Sequence, residues 1–166
     1  MLQLSPDHWQ VLHRHAEQTY PQECCGLLIG TLESREPGSL IKALQEVWPA
    51  KNTWTSEYSE LVPDGLGLSG TCRDCYWISP ETMLAAQRYC RDHSLSVLGI
   101  YHSHPDHSAV PSEMDRVLAW PQYTYLILAV HQGSITDTRA WCLDDTHQFQ
   151  SEAIVTHEYA KIEPSV

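Results

Sequence analysis

Apolar residues recur at helical spacing in two parts of the chain, and each time a helix-start signal precedes them. Ser5-Pro6-Asp7 and Ser79-Pro80-Glu81 both supply a capping hydroxyl, a proline at the first helical position and an acid in the first turn. The apolar positions that follow are Trp9, Leu12, Ala16 and Tyr20 in the first part and Met83, Ala86 and Cys90 in the second. This spacing predicts two amphipathic helices, one to about residue 19 and one to near His93.

Apolar runs of strand length surround these helices. Residues 95–101 are apolar at nearly every position, as expected of a central strand that is covered on both faces. Further strands are predicted at 24–32, 40–48, 123–130, 135–143 and 148–155, and a short helix is predicted after Ser112. Helices and strands mix without strict βαβ alternation, which favours an α/β or α+β fold around one sheet.

The length of 166 residues predicts a single domain, since roughly 100–200 residues is the usual size. We expect this domain to take up residues 1–160 and a C-terminal tail to follow at 161–166. Residues 50–74 are rich in Ser, Thr, Gly and Asp and predict a long loop, a kind of segment that is usually functional in a compact domain. Within it, residues 65–70 match the pattern G-x-G-x-x-G. No predicted strand precedes them and no helix follows, so a flexible loop is favoured over a dinucleotide site.

Acidic residues outnumber basic ones, 21 against 10, which gives a net charge of −11. Nucleic acids and anionic membranes bind cationic surfaces, so this balance argues against either partner. The sequence shows no signal-peptide pattern and no apolar run that approaches the roughly 18 residues of a membrane span. Six cysteines in such a chain argue against a disulfide framework, so we expect a cytoplasmic protein.

Two of the ten histidines directly follow the predicted central strand, namely His102 and His104. Residues i and i+2 of a strand point to the same face about 7 Å apart. We therefore expect both imidazoles on the face of Leu98 and Ile100, where they can converge on one ion. Asp115, in the first turn of the next helix, offers a third, anionic ligand. Two histidines and one carboxylate leave a fourth tetrahedral position for water, which is typical of a catalytic zinc site.

Ordinary helix chemistry also accounts for part of this pattern. Ser112 is a good N-cap and Asp115 is the third helical residue, close to the arrangement of a capping box. A pair His-x-His by itself is more often a surface or core feature than a ligand pair. The joint spacing His-x-His-x(7)-Ser-x-x-Asp after an apolar strand favours the metal site.

The cysteines support no second site as strongly. Cys72 and Cys75 have the spacing of half a zinc site or of a redox pair, but no second Cys-x-x-Cys and no suitable histidine pair accompanies them. Cys24 and Cys25 are expected in the core, because free cysteine behaves as a small hydrophobe. By spacing alone, Glu23 beside them would be a surface acid that opens a strand.

Several segments together resemble the JAMM (MPN-plus) metalloproteases. The segment from Pro21 to Gly30 resembles the strand of that family that carries a glutamate, and Ile78 to Glu81 resembles the start of its middle helix. Gly99-Ile100-Tyr101 leads into the histidine motif as in the family. The segments 119–121 and 125–127 are similar to those of compact bacterial members. The resemblance implies a single-domain mixed sheet flanked by helices, related to the cytidine-deaminase architecture.

The resemblance also implies roles for five residues. It makes His102, His104 and Asp115 the ligands of one Zn²⁺ ion. It makes Glu23 the general acid/base that acts on the zinc-activated water, and Ser112 the hydroxyl that helps to stabilise the oxyanion. General acid/base catalysis and oxyanion stabilisation are suitable tasks for a carboxylate and a hydroxyl beside a metal.

The implied function is a zinc metallopeptidase that cleaves a peptide or isopeptide bond at the tail of a ubiquitin-like protein. Similarity to the compact bacterial members favours a small β-grasp sulfur-carrier protein as the substrate. Two alternatives stay open: a deubiquitinase-like isopeptidase that acts on conjugated proteins, and a non-catalytic interaction module of the same fold. The sequence indicates no oligomeric state.

Overall fold

The computed structural model describes residues 1–36, 39–55 and 71–157. Most of the predicted 50–74 loop, namely 56–70 with the glycine-rich segment 65–70, lies outside the described residues. Residues 37–38 and the predicted tail at 161–166 lie outside them as well.

Both amphipathic helices form where their caps predict. Helix α1 is Pro6–Thr19, and the Ser5 hydroxyl caps it by accepting from the His8 amide. Helix α2 is Pro80–Asp92, and the Ser79 hydroxyl likewise accepts from the Thr82 amide. A short helix α3, Glu113–Leu118, follows Ser112. No helix within the described part of the chain is long and apolar enough to cross a membrane.

The strands of the described residues form one eight-stranded mixed sheet. They are β1 Leu2–Leu4, β2 Cys25–Glu36, β3 Ser39–Ala50, β4 Ser96–Pro105, β5 Thr124–His131, β6 Ser134–Leu143, β7 Phe149–Glu152 and β8 Ile154–Thr156. Their order across the sheet is β7-β6-β5-β4-β2-β3-β1-β8. Neighbours pair antiparallel except β4 with β5 and β1 with β3 and β8, which are parallel. This mixed sheet with three helices confirms the predicted α+β class.

The predicted strand at 148–155 is wrong as a single element. β7 pairs with β6 at one end of the sheet order, and β8 pairs with β1 at the other end. Only Ala153 separates them, and its carbonyl accepts from the Leu2 amide. Because one residue joins strands at the two ends of the sheet order, the sheet curls and its two edges come close together at Ala153. The three-residue β1 was too short for a pattern to predict.

Helices cover the sheet on its two faces. On one face α1 packs Leu12 and Ala16 into a cluster that includes Leu28 and Tyr101. On the other face α2 packs Ala86 and Cys90 against a second cluster of side chains, which are Leu27, Ile29, Ile100, Ala119, Tyr123 and Tyr125. Strand β4 lies between β2 and β5 in the middle of the sheet and is buried from Leu98 to Pro105.

A β-bulge in β4 corrects one prediction about its faces. Gly99 pairs with Leu28, but Val97 pairs with Ile29, so Leu98 is the extra residue. An extra residue shifts the alternation of side chains by one. Leu98 therefore packs in the cluster on the α1 face, whereas Ile100 packs on the α2 face. Ile100 precedes the two histidines on their face, as expected, and Leu98 does not share that face.

Candidate metal centre

The carboxyl end of β4 carries both histidines into the middle of the sheet. His102 pairs with Cys25 of β2 on one side and with Ile127 of β5 on the other, and His104 pairs with Ala129 of β5. The His102 side chain is fully buried, and His104 is 8% exposed. A central strand flanked on both sides gives these side chains little freedom, which is what a preorganised metal site requires.

The structure brings His102, His104 and Asp115 together, as the spacing predicts. The two Nε2 atoms lie 3.0 Å apart. Asp115 Oδ1 lies 3.2 Å from Nε2 of His102, and Asp115 Oδ2 lies 3.5 Å from Nε2 of His104. Within the described residues, these three form the one group of three or more His, Cys, Asp or Glu side chains with ligand atoms close enough to share an ion. All three side chains are buried.

The hydrogen bonds of His104 test whether this group fits a metal ion. Its Nδ1 lies 2.8 Å from the carbonyl of Ser108. A carbonyl only accepts, so Nδ1 carries the proton, and in the neutral imidazole Nε2 then presents a lone pair to Asp115. Two acceptors that face each other in a buried site repel unless a cation lies with them. A histidine whose other nitrogen donates to a backbone carbonyl is also the usual arrangement of a metal ligand. The donor set therefore fits a divalent ion such as Zn²⁺.

In His102 and Asp115, burial and the neighbouring side chains favour the protonation states that a metal needs. Burial lowers the pKa of His102, which keeps its imidazole neutral at pH 7. Burial alone would raise the pKa of Asp115, but its contacts with His102 and His104 outweigh that effect and hold the pKa well below its usual range. Neutral imidazoles and an ionised carboxylate are the ligand forms that bind a divalent cation.

The ring of Tyr76 covers His102. Its ring stacks on the imidazole of His102, with centroids 4.4 Å apart and planes inclined by 24°. His102 Nδ1 is buried and has no hydrogen-bond partner among the described residues, so stacking on Tyr76 and the contacts of Nε2 orient this ring. Sequence patterns did not indicate Tyr76, because it lies in a loop without periodicity.

Ser112 and Asp115 form a helix cap, and the Asp115 carboxylate also lies beside the two histidines. The Ser112 hydroxyl accepts from the Asp115 amide at 3.1 Å, and the Asp115 Oδ2 atom accepts from the Ser112 amide at 2.6 Å, which completes a capping box on α3. The Ser112 hydroxyl also donates to Oδ2 at 2.7 Å. The same carboxylate faces the histidines, so the cap of α3 fixes the position of the candidate third ligand.

Glu23 lies just before β2, and it is buried instead of being the surface acid that spacing alone indicated. It is 5% exposed. Its amide donates to the carbonyl of Cys72 at 2.7 Å, and its carbonyl accepts from the Asn52 side chain at 3.1 Å. Its carboxylate has no hydrogen bond to any described residue. Burial, and then the charge of Asp115, raises the pKa of Glu23 well above its usual value. An unpaired, buried carboxyl beside a candidate metal site is suited to proton transfer.

Glu23 and Asp115 both line a cavity of about 360 Å³ on the α2 face of the sheet. Most of its wall is apolar or aromatic, contributed by 74–78, α2, α3 and the start of β5. Its aromatic members are Tyr76, Trp77, Trp120, Tyr123 and Tyr125. Trp120 is 61% exposed at its rim. A concave apolar site with a few convergent ionisable groups is the usual form of a ligand-binding site.

The cysteines follow the expected interpretation. All six are free thiols. Cys24 and Cys25 are buried, and burial raises the pKa of Cys24 to about 12. Cys72 and Cys75 belong to no group of ligands within the part of the chain that the structure describes. Their backbone carbonyls, in contrast, take part in holding Glu23 and Asn52.

Comparisons with known proteins agree with this geometry. A family model described as prokaryotic homologs of the JAB domain matches residues 5–144. The protein named Desampylase of Haloferax volcanii is 29% identical over 108 residues, which are 64% of this chain and 62% of that protein. The chain thus spans less than two thirds of the length of this relative.

Two solved structures share the fold over nearly the whole chain. A protein from Desulfitobacterium hafniense superposes with a TM-score of 0.74 at 22% identity, covering 97% of this chain and 96% of that one. A JAB1/MPN domain protein from Archaeoglobus fulgidus gives a TM-score of 0.52 at 13% identity, covering 95% and 98%. At such identities the likeness shows the fold alone.

Proposed function

Because the chain belongs to the family of prokaryotic homologues of the JAB domain, we propose that it is a zinc metallopeptidase acting on the C-terminal tail of a ubiquitin-like protein. Membership confirms the family that the sequence motifs predict. The catalytic unit in this proposal is the domain at residues 1–160.

One observation carries the proposal: Asp115 of the ligand group and the buried carboxylate of Glu23 line the same cavity. His102, His104 and Asp115 would hold the ion, and Glu23 lies beside Asp115 without a hydrogen bond to any described residue. A structural ion pair would have used that carboxylate. A purely structural zinc site would have four protein ligands, and this group offers three.

A zinc ion held by His102, His104 and Asp115 would supply one kind of chemistry: it would lower the pKa of water to about 7. Glu23 accepts the proton from the attacking water and passes it to the leaving amine. Its raised pKa suits both steps, because a carboxyl group that titrates nearer neutrality can take up and release a proton at working pH.

Ser112 stabilises the oxyanion in this mechanism. Its hydroxyl donates to Asp115 in the present structure, so this role requires the hydroxyl to leave Asp115 and donate to the oxyanion. The Asp115 carboxylate keeps its hydrogen bond from the Ser112 amide throughout. A single oxyanion-hole donor of this kind contributes roughly 10²–10³-fold to turnover.

The substrate assignment rests on a relative and on the cavity. The name desampylase denotes an enzyme that releases a ubiquitin-like modifier, which supports an isopeptidase or peptidase on such a tail. The apolar wall beside Glu23 provides surface for an extended tail. We propose a β-grasp sulfur-carrier protein as the substrate, with cleavage after its terminal Gly-Gly.

A deubiquitinase-like isopeptidase would use the same five residues, and the desampylase relative favours it equally well. The discriminating experiment is mass spectrometry of two substrate sets: carriers with residues added after Gly-Gly, and carriers joined to a lysine side chain. We expect the wild-type enzyme to reduce the first set to the Gly-Gly mass, and chelator to stop this. Cleavage of the second set alone would assign the isopeptidase function, and cleavage of neither would support the interaction module.

A further inference from the structure

Asn52 uses its whole side-chain amide to join three parts of the chain. Its Nδ2 donates to the carbonyl of Glu23 at 3.1 Å and to the carbonyl of Cys75 at 3.0 Å. Its Oδ1 accepts from the amides of Trp54 at 3.0 Å and Trp77 at 3.2 Å. Two donors and two acceptor sites are the full capacity of an asparagine side chain. So complete a set of bonds holds the side chain in one orientation.

The backbone of Glu23 needs such a partner because the strand pairing of β2 does not extend to it. The register of β2 with its two neighbours ends at Cys25, which pairs with Ala50 and His102. Glu23 lies two residues beyond, buried, where a backbone group without a partner costs about 1–3 kcal/mol. Its amide is bonded to the Cys72 carbonyl and its carbonyl to Asn52. Asn52 thus replaces the missing strand ladder at this residue.

We propose that Asn52 is a positioning residue, which fixes the Glu23 carboxylate beside the metal ligands by tying the Glu23 carbonyl to the backbone at 75–77. This inference rests on the proposed role of Glu23 as the general acid/base. It extends that role by identifying what holds the residue in place.

The Asn52 amide also positions Tyr76, the residue that covers His102. Tyr76 lies between Cys75 and Trp77, the two residues whose backbones bond to Asn52, and its ring stacks on His102. The two sides of the site, Glu23 and Tyr76, are therefore held at a fixed separation by one side chain. A displacement of about 1 Å in a catalytic group can lower turnover about 10²-fold.

Thr53 offers a matched control on the same segment. Its hydroxyl donates to the Trp77 carbonyl at 3.0 Å, and its amide donates to the same atom at 3.0 Å. Thr53 joins its own segment to the backbone of Trp77, as Asn52 does, but it makes no hydrogen bond to Glu23. Comparison of Asn52→Ala with Thr53→Ala therefore separates loss of a loop contact from loss of the Glu23 contact.

The test has two readouts on the zinc-loaded full chain. The first is hydrogen exchange of the Glu23 amide by NMR, which needs no substrate. We expect exchange at least 10-fold faster in Asn52→Ala and unchanged in Thr53→Ala. The second is steady-state cleavage of a tailed carrier: kcat falls about 10–100-fold in Asn52→Ala with KM within twofold and zinc content unchanged. Thr53→Ala keeps kcat within about twofold.

A variant Asn52→Asp covers the case in which alanine prevents folding. It can still accept from the amides of Trp54 and Trp77, but it replaces the two donors with a carboxylate oxygen that repels the carbonyls of Glu23 and Cys75. The inference is overturned if the Glu23 amide exchanges at the same rate in Asn52→Ala and Thr53→Ala. It is also overturned if the two variants have the same kcat. If the wild-type chain cleaves no tail, the proposed function fails, and the exchange readout still decides whether Asn52 holds Glu23.

Discussion

The Ser112 hydroxyl donates a 2.7 Å hydrogen bond to the Asp115 carboxylate, the same carboxylate that faces Nε2 of His102 at 3.2 Å. A helix cap and a candidate metal ligand are thus one structural unit. The short helix α3 begins at this pair, so its first turn delivers the anionic ligand to the end of β4. Metal binding and the start of α3 should therefore respond together to substitution.

Ser112→Ala tests this unit. It removes the hydroxyl that fixes Asp115 and that we assign to oxyanion stabilisation. We expect kcat to fall about 10²–10³-fold and zinc affinity about 10–100-fold, measured by steady-state cleavage and by competition with a chromophoric chelator. Ser79→Ala is the control, because Ser79 caps α2 in the same way away from the ligands. It should lose about 1 kcal/mol of stability and keep its kcat. Equal loss of kcat in both variants would refute the catalytic role of Ser112.

Asp115→Asn keeps the shape of the ligand but removes its charge. We expect the purified variant to hold less than about one tenth of the wild-type zinc by elemental analysis, because a neutral amide binds Zn²⁺ far more weakly than a carboxylate. Glu113→Gln removes an exposed carboxylate from the same helix and should retain full zinc content. Full zinc content in Asp115→Asn would show that another residue completes the ligand set.

Glu23→Gln should stabilise the metal-free protein at neutral pH. The pKa of Glu23 is raised in the folded chain by burial, so folding favours the protonated form. That contribution is complete below the ordinary pKa of about 4.5 and is lost as pH rises through the folded-state value. Glutamine resembles the protonated acid at every pH. We expect a higher Tm than wild type above neutrality and a smaller difference near pH 4, measured by calorimetry after chelation. A lower Tm at pH 8 would contradict this account.

Local chemistry made much of the fold predictable. Ser5 and Ser79 specify their helix starts through contacts within the first turn, so their sequence context is sufficient. The bulge at Leu98 is different. It depends on how β4 pairs with β2, so no pattern within β4 reveals that Leu98 faces α1. The division between β7 and β8 likewise depends on where the distant edges of the sheet meet.

The residues of the site also fall into two groups, those that the sequence predicts and those that depend on distant parts of the chain. His102, His104, Ser112 and Asp115 lie within 14 residues of one another, and a strand and a helix of known geometry relate them. Glu23 lies 79 residues before His102, and only the family resemblance linked it to the other site residues. Asn52 gave no signal at all. Its function depends on four backbone groups from three segments, and none of them has a recognisable side-chain pattern.

The most direct test of the central claim compares zinc content and turnover in the wild-type chain and in Glu23→Gln. Both proteins are loaded with zinc, freed of excess metal, analysed for zinc per chain, and incubated with a carrier that bears residues after Gly-Gly. We predict one zinc per chain in both proteins, complete trimming by the wild type, and at least a 10³-fold lower rate in Glu23→Gln. Trimming by Glu23→Gln at the wild-type rate, or a wild-type chain that binds no zinc, would contradict the account.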